Sequence, residues 1–83
     1  MKTLGWVVLR DHDDEEEGEF QLHTLKFVQN PFSYTGALYV FTGAHETAGD
    51  TVEEAIRLFT SWMEREQLKI VAKQGDVLDA LDA

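Results

Sequence analysis

Between Gly49 and Gln67 the chain reads GDTVEEAIRLFTSWMEREQ, its one long run of helix-spaced apolar positions. Val52, Ala55, Ile56, Phe59 and Met63 fall on one face at 3.6 residues per turn, with Trp62 on the border of that face. Glu53, Arg57, Ser61 and Glu64 fall on the other side, where Glu53 and Arg57 form a supporting i,i+4 pair. Thr51 and Glu54 have the spacing of a capping box, and Asp50, Glu53 and Glu54 put negative charge at the positive end of the helix dipole. The pattern predicts an amphipathic helix, and a single such helix needs an apolar sheet face to lie on.

Four other segments have strand character. Thr3–Arg10 carries the continuous apolar run Trp6, Val7, Val8 and Leu9, the mark of a central strand with both faces covered. Glu19–Gln29 alternates imperfectly, because Phe20 and Leu22 have the opposite parity to Leu25 and Phe27. A bulge at His23-Thr24 would bring all four to one face and leave His23 on the solvent side; otherwise both faces are partly buried. Thr35–Thr42 is the strongest strand, with Tyr39 and Phe41 read as core, and Gly43–Ala48 is a connector into the helix. After the helix, Leu68–Lys73 alternates, with Leu68, Ile70 and Ala72 inward and Lys69 and Lys73 outward, as suits an edge strand.

Gly75–Ala83 has a short apolar stripe of Val77, Leu78 and Leu81, and is read as a short helical or frayed tail. The expected architecture is a single α+β domain over residues 1–83. Its order is β-β-β-α-β: an antiparallel meander, one helix across one face, and the fourth strand at an edge.

Composition narrows the function classes. Cysteine is absent, which removes disulfides, thiolate metal sites and a cysteine nucleophile. No apolar run reaches the length of a membrane span and no basic-then-apolar leader opens the chain, so a cytoplasmic location is expected. Sixteen acids against seven bases give a formal net charge of -9, which repels nucleic acid and anionic membrane and favours a basic protein surface as partner. Acidity that serves solubility alone is the competing explanation.

Much of the charge is concentrated in Asp11-His12-Asp13-Asp14-Glu15-Glu16-Glu17-Gly18-Glu19, a run expected to be an exposed, mobile loop between the first two strands. Asp11, Asp13 and Glu15 match the first positions of a calcium-binding loop. Glu16 stands where glycine is needed and Leu22 where the closing glutamate is needed, so a solvated charge run is the better reading and no metal or other cofactor is expected. Catalytic motifs are missing: there is no phosphate loop and no paired-histidine metal spacing, and neither serine has a nucleophile context. His45 with Glu46, placed near the helix start, is the one acid–base candidate, and it supports the alternative of a small enzyme or ligand-binding domain.

The segment Gly49-Asp50-Thr51-Val52-Glu53-Glu54-Ala55-Ile56 resembles the helix start of HicB-like antitoxins. The resemblance implies the same β-β-β-α-β order and the neutralisation of a small, basic, RNA-cleaving toxin. The family's proline- and glycine-containing stretch before the helix is replaced here by Thr42-Gly43-Ala44-His45, and a DNA-binding extension is missing.

The leading expectation is a non-catalytic acidic protein that blocks a basic, nucleic-acid-binding site on a partner. It would act as a nucleic-acid mimic, such as a phage-type anti-CRISPR or other anti-defence inhibitor. The carboxylates assigned to that role are Asp11, Asp13, Asp14, Glu15, Glu16, Glu17, Glu19, Glu46, Asp50, Glu53, Glu54, Asp76 and Asp79. A homodimer through a sheet edge or through the border of Trp62 is the structural alternative.

Overall fold

The computed structural model describes residues 1–11 and 19–81. Five strands form one antiparallel sheet: β1 (Lys2–Asp11), β2 (Gln21–Gln29), β3 (Ala37–Thr42), β4 (Thr47–Gly49) and β5 (Leu68–Gln74), in the order β4-β3-β2-β1-β5. Helix α1 (Val52–Arg65) joins β4 to β5, and a 3-10 turn (Asp76–Ala80) follows. The fold is therefore α+β, with β5 at an edge beside β1. Because α1 leaves from the β4 edge and returns the chain to the β5 edge, it has to cross one face of the sheet.

Local chemistry sets the helix ends. Thr51 has extended backbone (φ -129°, ψ 161°), and its hydroxyl accepts from the Glu54 amide at 3.1 Å, the hydroxyl half of the expected capping box. At the other end Gln67 takes a left-handed conformation (φ 56°), which stops the helix and turns the chain into β5. The ordered helix is thus shorter than the Gly49–Gln67 pattern by its capping residues. Gly49 ends β4 where a Cβ would stand 2.7 Å from the Ala55 amide nitrogen, so only glycine fits under the first turn.

The helix buries Ala55, Phe59, Trp62 and Met63 against Val7, Leu9, Leu25, Phe41, Leu68 and Ile70 of the sheet. Phe41 and Phe59 stack at 4.1 Å with their rings 12° apart. Phe41 is core and Tyr39 packs half-buried against it, as their sequence context implies. Trp62 is part of the core too, and not a border residue.

Three further expectations are corrected. No bulge occurs at His23-Thr24: Gln21 to Leu25 pair in unbroken register with Leu9 to Gly5, and the irregularities lie at Leu4 in β1 and Val71 in β5. His23 is consequently a buried inner-face residue, while Phe20 and Leu22 stay outside, 64% and 59% exposed. The physical reason is that β2 is apolar on both faces, and the helix covers only one of them. In β5, the irregularity at Val71 flips the parity, so Ala72 pairs with Val8 outside and Lys73 with Val7 inside. Lys73 Nζ then donates to the Leu78 carbonyl at 3.3 Å and to the Leu81 carbonyl, clamping the 3-10 turn onto the core with Leu78 and Leu81 buried. Finally, the 43–48 connector contains a strand, since Thr47, Ala48 and Gly49 pair with Phe41, Val40 and Tyr39.

Candidate partner-binding site

The β2–β3 turn is the best-tied loop of the described residues. Asn30 Oδ1 accepts from the Phe32 amide at 3.2 Å, and the Asn30 amide donates to the Gly36 carbonyl at 3.1 Å. Ser33 Oγ donates to the Ala37 carbonyl at 2.7 Å and accepts from the Thr35 and Ala37 amides at 3.2 Å. Gly36, at φ 75°, supplies the left-handed step that closes the turn. On this rigid support stand Phe32 and Tyr34, 96% and 98% exposed. Thr35 Oγ1 donates to the Asp50 carbonyl at 2.6 Å, so the turn is fastened directly to the residue before the helix cap.

Carboxylates surround that junction. Glu53 and Glu54 are exposed in the first turn of α1, and Asp50 is half-buried beside them. The 3-10 turn reaches the same end of the helix, forming a groove of about 460 Å³ lined by Val52, Glu53, Ile56, Arg57, Val77 and Ala80. Asp76 and Asp79 of that turn are exposed. One end of the molecule therefore gathers Asp50, Glu53, Glu54, Asp76 and Asp79 with two solvent-facing aromatics. Phe32 and Tyr34 escape a reading guided by charge; the signal for them is an apolar pair within a proline-containing turn, where packing has no use for it.

The other assigned carboxylates lie elsewhere. Asp11 pairs with Leu68, beside the C-terminal end of the helix, and Glu19 is exposed just ahead of β2. Asp13, Asp14, Glu15, Glu16 and Glu17 fall outside the described residues, as does the calcium-loop comparison built on them. Glu46 is not at the helix start. The interposed β4 carries the chain back along the sheet, and neighbouring His45 stacks on Trp62 at 4.5 Å with the rings 8° apart. Trp62 lies ten residues beyond Val52, about 15 Å along the helix axis.

The two histidines serve packing. His23 meets Phe59 and Trp62 edge-on at 5.2 and 5.3 Å, and its Nε2 lies 3.2 Å from Gln21 Oε1. A Cβ at Gly43 would stand 2.7 Å from His23 Nδ1, so glycine is required against the ring. Burial holds the His23 pKa below the ordinary histidine value; the His45 backbone offsets this in part, and charge on the His45 ring adds to the depression. His23 Nδ1 and Thr47 Oγ1 are buried without a hydrogen-bond partner among the described residues. No hydrogen bond or ion pair joins His45 to Glu46 there, and no group of three metal-ligating side chains forms among the described residues. Trp62, covered by His45, offers no border for a dimer.

Comparison of the chain with protein-family models, with curated proteins and with solved structures gives no match. No helix of the described residues is long and apolar enough to cross a membrane.

Proposed function

We propose that this protein is a non-catalytic binding protein whose acidic, aromatic-tipped end occupies a basic, nucleic-acid-handling site on a partner protein. The observation that carries the reading is the Thr35–Asp50 hydrogen bond, which locks exposed Phe32 and Tyr34 beside the carboxylates of the helix start. Aromatic side chains held rigid and in solvent lose little entropy when a partner covers them, and residues of this type dominate binding energy at interfaces. Carboxylates around them steer a basic surface into place, and an arginine of that surface gains further by lying over an aromatic ring. The net charge of -9 gives the encounter its long-range attraction.

The test is capture on the immobilised full chain, with captured proteins identified by mass and challenged with single- and double-stranded oligonucleotides. The expected partner handles nucleic acid, is displaced by oligonucleotide, and binds more weakly as salt rises from about 0.05 M to about 0.5 M. The double substitution Phe32→Ala and Tyr34→Ala lowers its affinity at least about tenfold, through faster dissociation. Replacing Glu53, Glu54, Asp76 and Asp79 with their amides slows association. Binding that is indifferent to salt and oligonucleotide, or that survives loss of both aromatics, refutes the proposal.

A further inference from the structure

We infer that the open face of the sheet is a self-association surface that seats a second copy of this chain. It faces away from α1. Strand alternation places Trp6 and Val8 of β1, Leu22 and Val28 of β2, Leu38 and Val40 of β3 and Ala72 of β5 on it, in continuous register across the sheet. Among the described residues nothing is packed over them. Thr3, Trp6, Val8, Leu22 and Thr24 line a shallow depression of about 400 Å³ on this side. Leu22 is mostly in solvent, and the Phe20 ring beside it meets solvent on one side and the Arg10 guanidinium at 5.0 Å on the other.

Size and charge select the occupant. Five strands spaced about 4.8 Å apart and about six residues long present a face of roughly 24 by 20 Å. At about 480 Å² a side this is below the about 800 Å² of a standard interface, the size of a weak, reversible one. None of the described strand residues pointing to this face is Asp or Glu, although the chain carries sixteen carboxylates. The helix side and both ends carry acids. Two molecules with a net charge of -9 each can therefore meet here without opposing carboxylates. Lys26 stands within the face and Arg10 and Lys69 stand on it near the β1–β5 border, where their aliphatic stems can lie along the sheet while the charged heads reach the rim. Twisted sheets pack face to face at about 30°, which aligns two such surfaces without reshaping either. This surface is separate from the acidic end that binds the proposed partner, so either assignment can fail without the other.

Sedimentation equilibrium of the full chain, from the micromolar to the low-millimolar range, tests the inference. A monomer–dimer equilibrium is expected. Because like-charged copies repel, it tightens as salt rises, the opposite of the partner's response. Leu22→Asp places a carboxylate on each side of the interface and weakens dimerisation at least about tenfold, while Glu53→Gln leaves it intact. Unchanged far-UV circular dichroism shows that the Leu22→Asp chain is folded. Independently of any folding change in that variant, Trp6 emission in the unaltered chain shifts to the blue with rising concentration, and the shift disappears in Trp6→Phe. A chain that remains monomeric throughout, a dimer that weakens with salt, or a folded Leu22→Asp chain that still dimerises overturns the inference.

Discussion

Val7 and Val8 are chemically identical neighbours on β1, yet Val7 is sealed beneath the helix and Val8 stands half-buried on the open side of the sheet. The contrast extends across the whole sheet. Phe41 and Val40, Leu25 and Leu22, and Ile70 and Ala72 repeat the division between a covered face and an uncovered one. Apolar character is thus not the same as burial. One helix of 14 residues can cover one face of a five-stranded sheet, and apolar residues on the other face are left half-buried or exposed.

The largest expected difference follows from the stacked pair at the centre of the covered face. Phe59→Ala removes a ring that packs on Phe41, His23 and Trp62, and is expected to cost about 3–5 kcal/mol, enough to unfold much of the population; urea denaturation followed by circular dichroism measures it. Val7→Ala against Val8→Ala is the cleanest comparison. The inner substitution is expected to cost roughly 2 kcal/mol and the outer one less than about 1 kcal/mol at concentrations where the chain is monomeric. Equal losses in urea titrations of the two variants would break the distinction between the faces.

A pH effect comes next, and it belongs to the covered face alone. The unfolded chain protonates His23 near the ordinary value of 6.5, whereas the folded chain resists protonation until lower pH. Above the unfolded value both states are neutral and nothing is lost. As pH falls through it the unfolded state binds more protons, and stability drops by at most about 1.4 kcal/mol per pH unit until the folded-state value is reached. Urea midpoints between pH 7.5 and pH 5 should show this slope, and His23→Gln should flatten it. The smallest effect is expected at Leu22→Thr, within about 0.5 kcal/mol of the parent in a monomeric sample.

Much of the fold is legible in the residues. The capping pair Thr51 and Glu54 and the spacing of Ala55, Phe59 and Met63 locate the helix, and the apolar runs of β1, β3 and β5 locate their strands. What misleads is the assumption that apolar residues converge on one face. In β2, Phe20 and Leu22 conflict in parity with Leu25 and Phe27, and the conflict is real: the strand is apolar on both sides. His23 looks polar and therefore external, but it is held neutral in the core, where its ring meets Phe59 and Trp62 edge-on. The three-residue β4 is too short to show alternation, yet it sets Glu46 apart from Asp50 and the helix start by the length of one short strand. For the candidate site, Glu53, Glu54, Asp76 and Asp79 are visible as charges. Their association with Phe32 and Tyr34 depends on a single side-chain bond between residues 15 positions apart.

The pairing of β1 with β5 has a consequence for how the chain is made. The Trp6 indole donates to Gln74 Oε1 at 2.9 Å across a sequence separation of 68 residues. The β1–β2 hairpin and its extension to β3 close from neighbouring segments, but one whole border of β1 has to wait for Leu68–Gln74 to emerge from the ribosome. Joining segments so far apart costs loop entropy before any contact rewards it, which makes this the slow, late step of assembly. Until then the nascent chain shows the cell an unsatisfied ladder of backbone amides and carbonyls along its first strand.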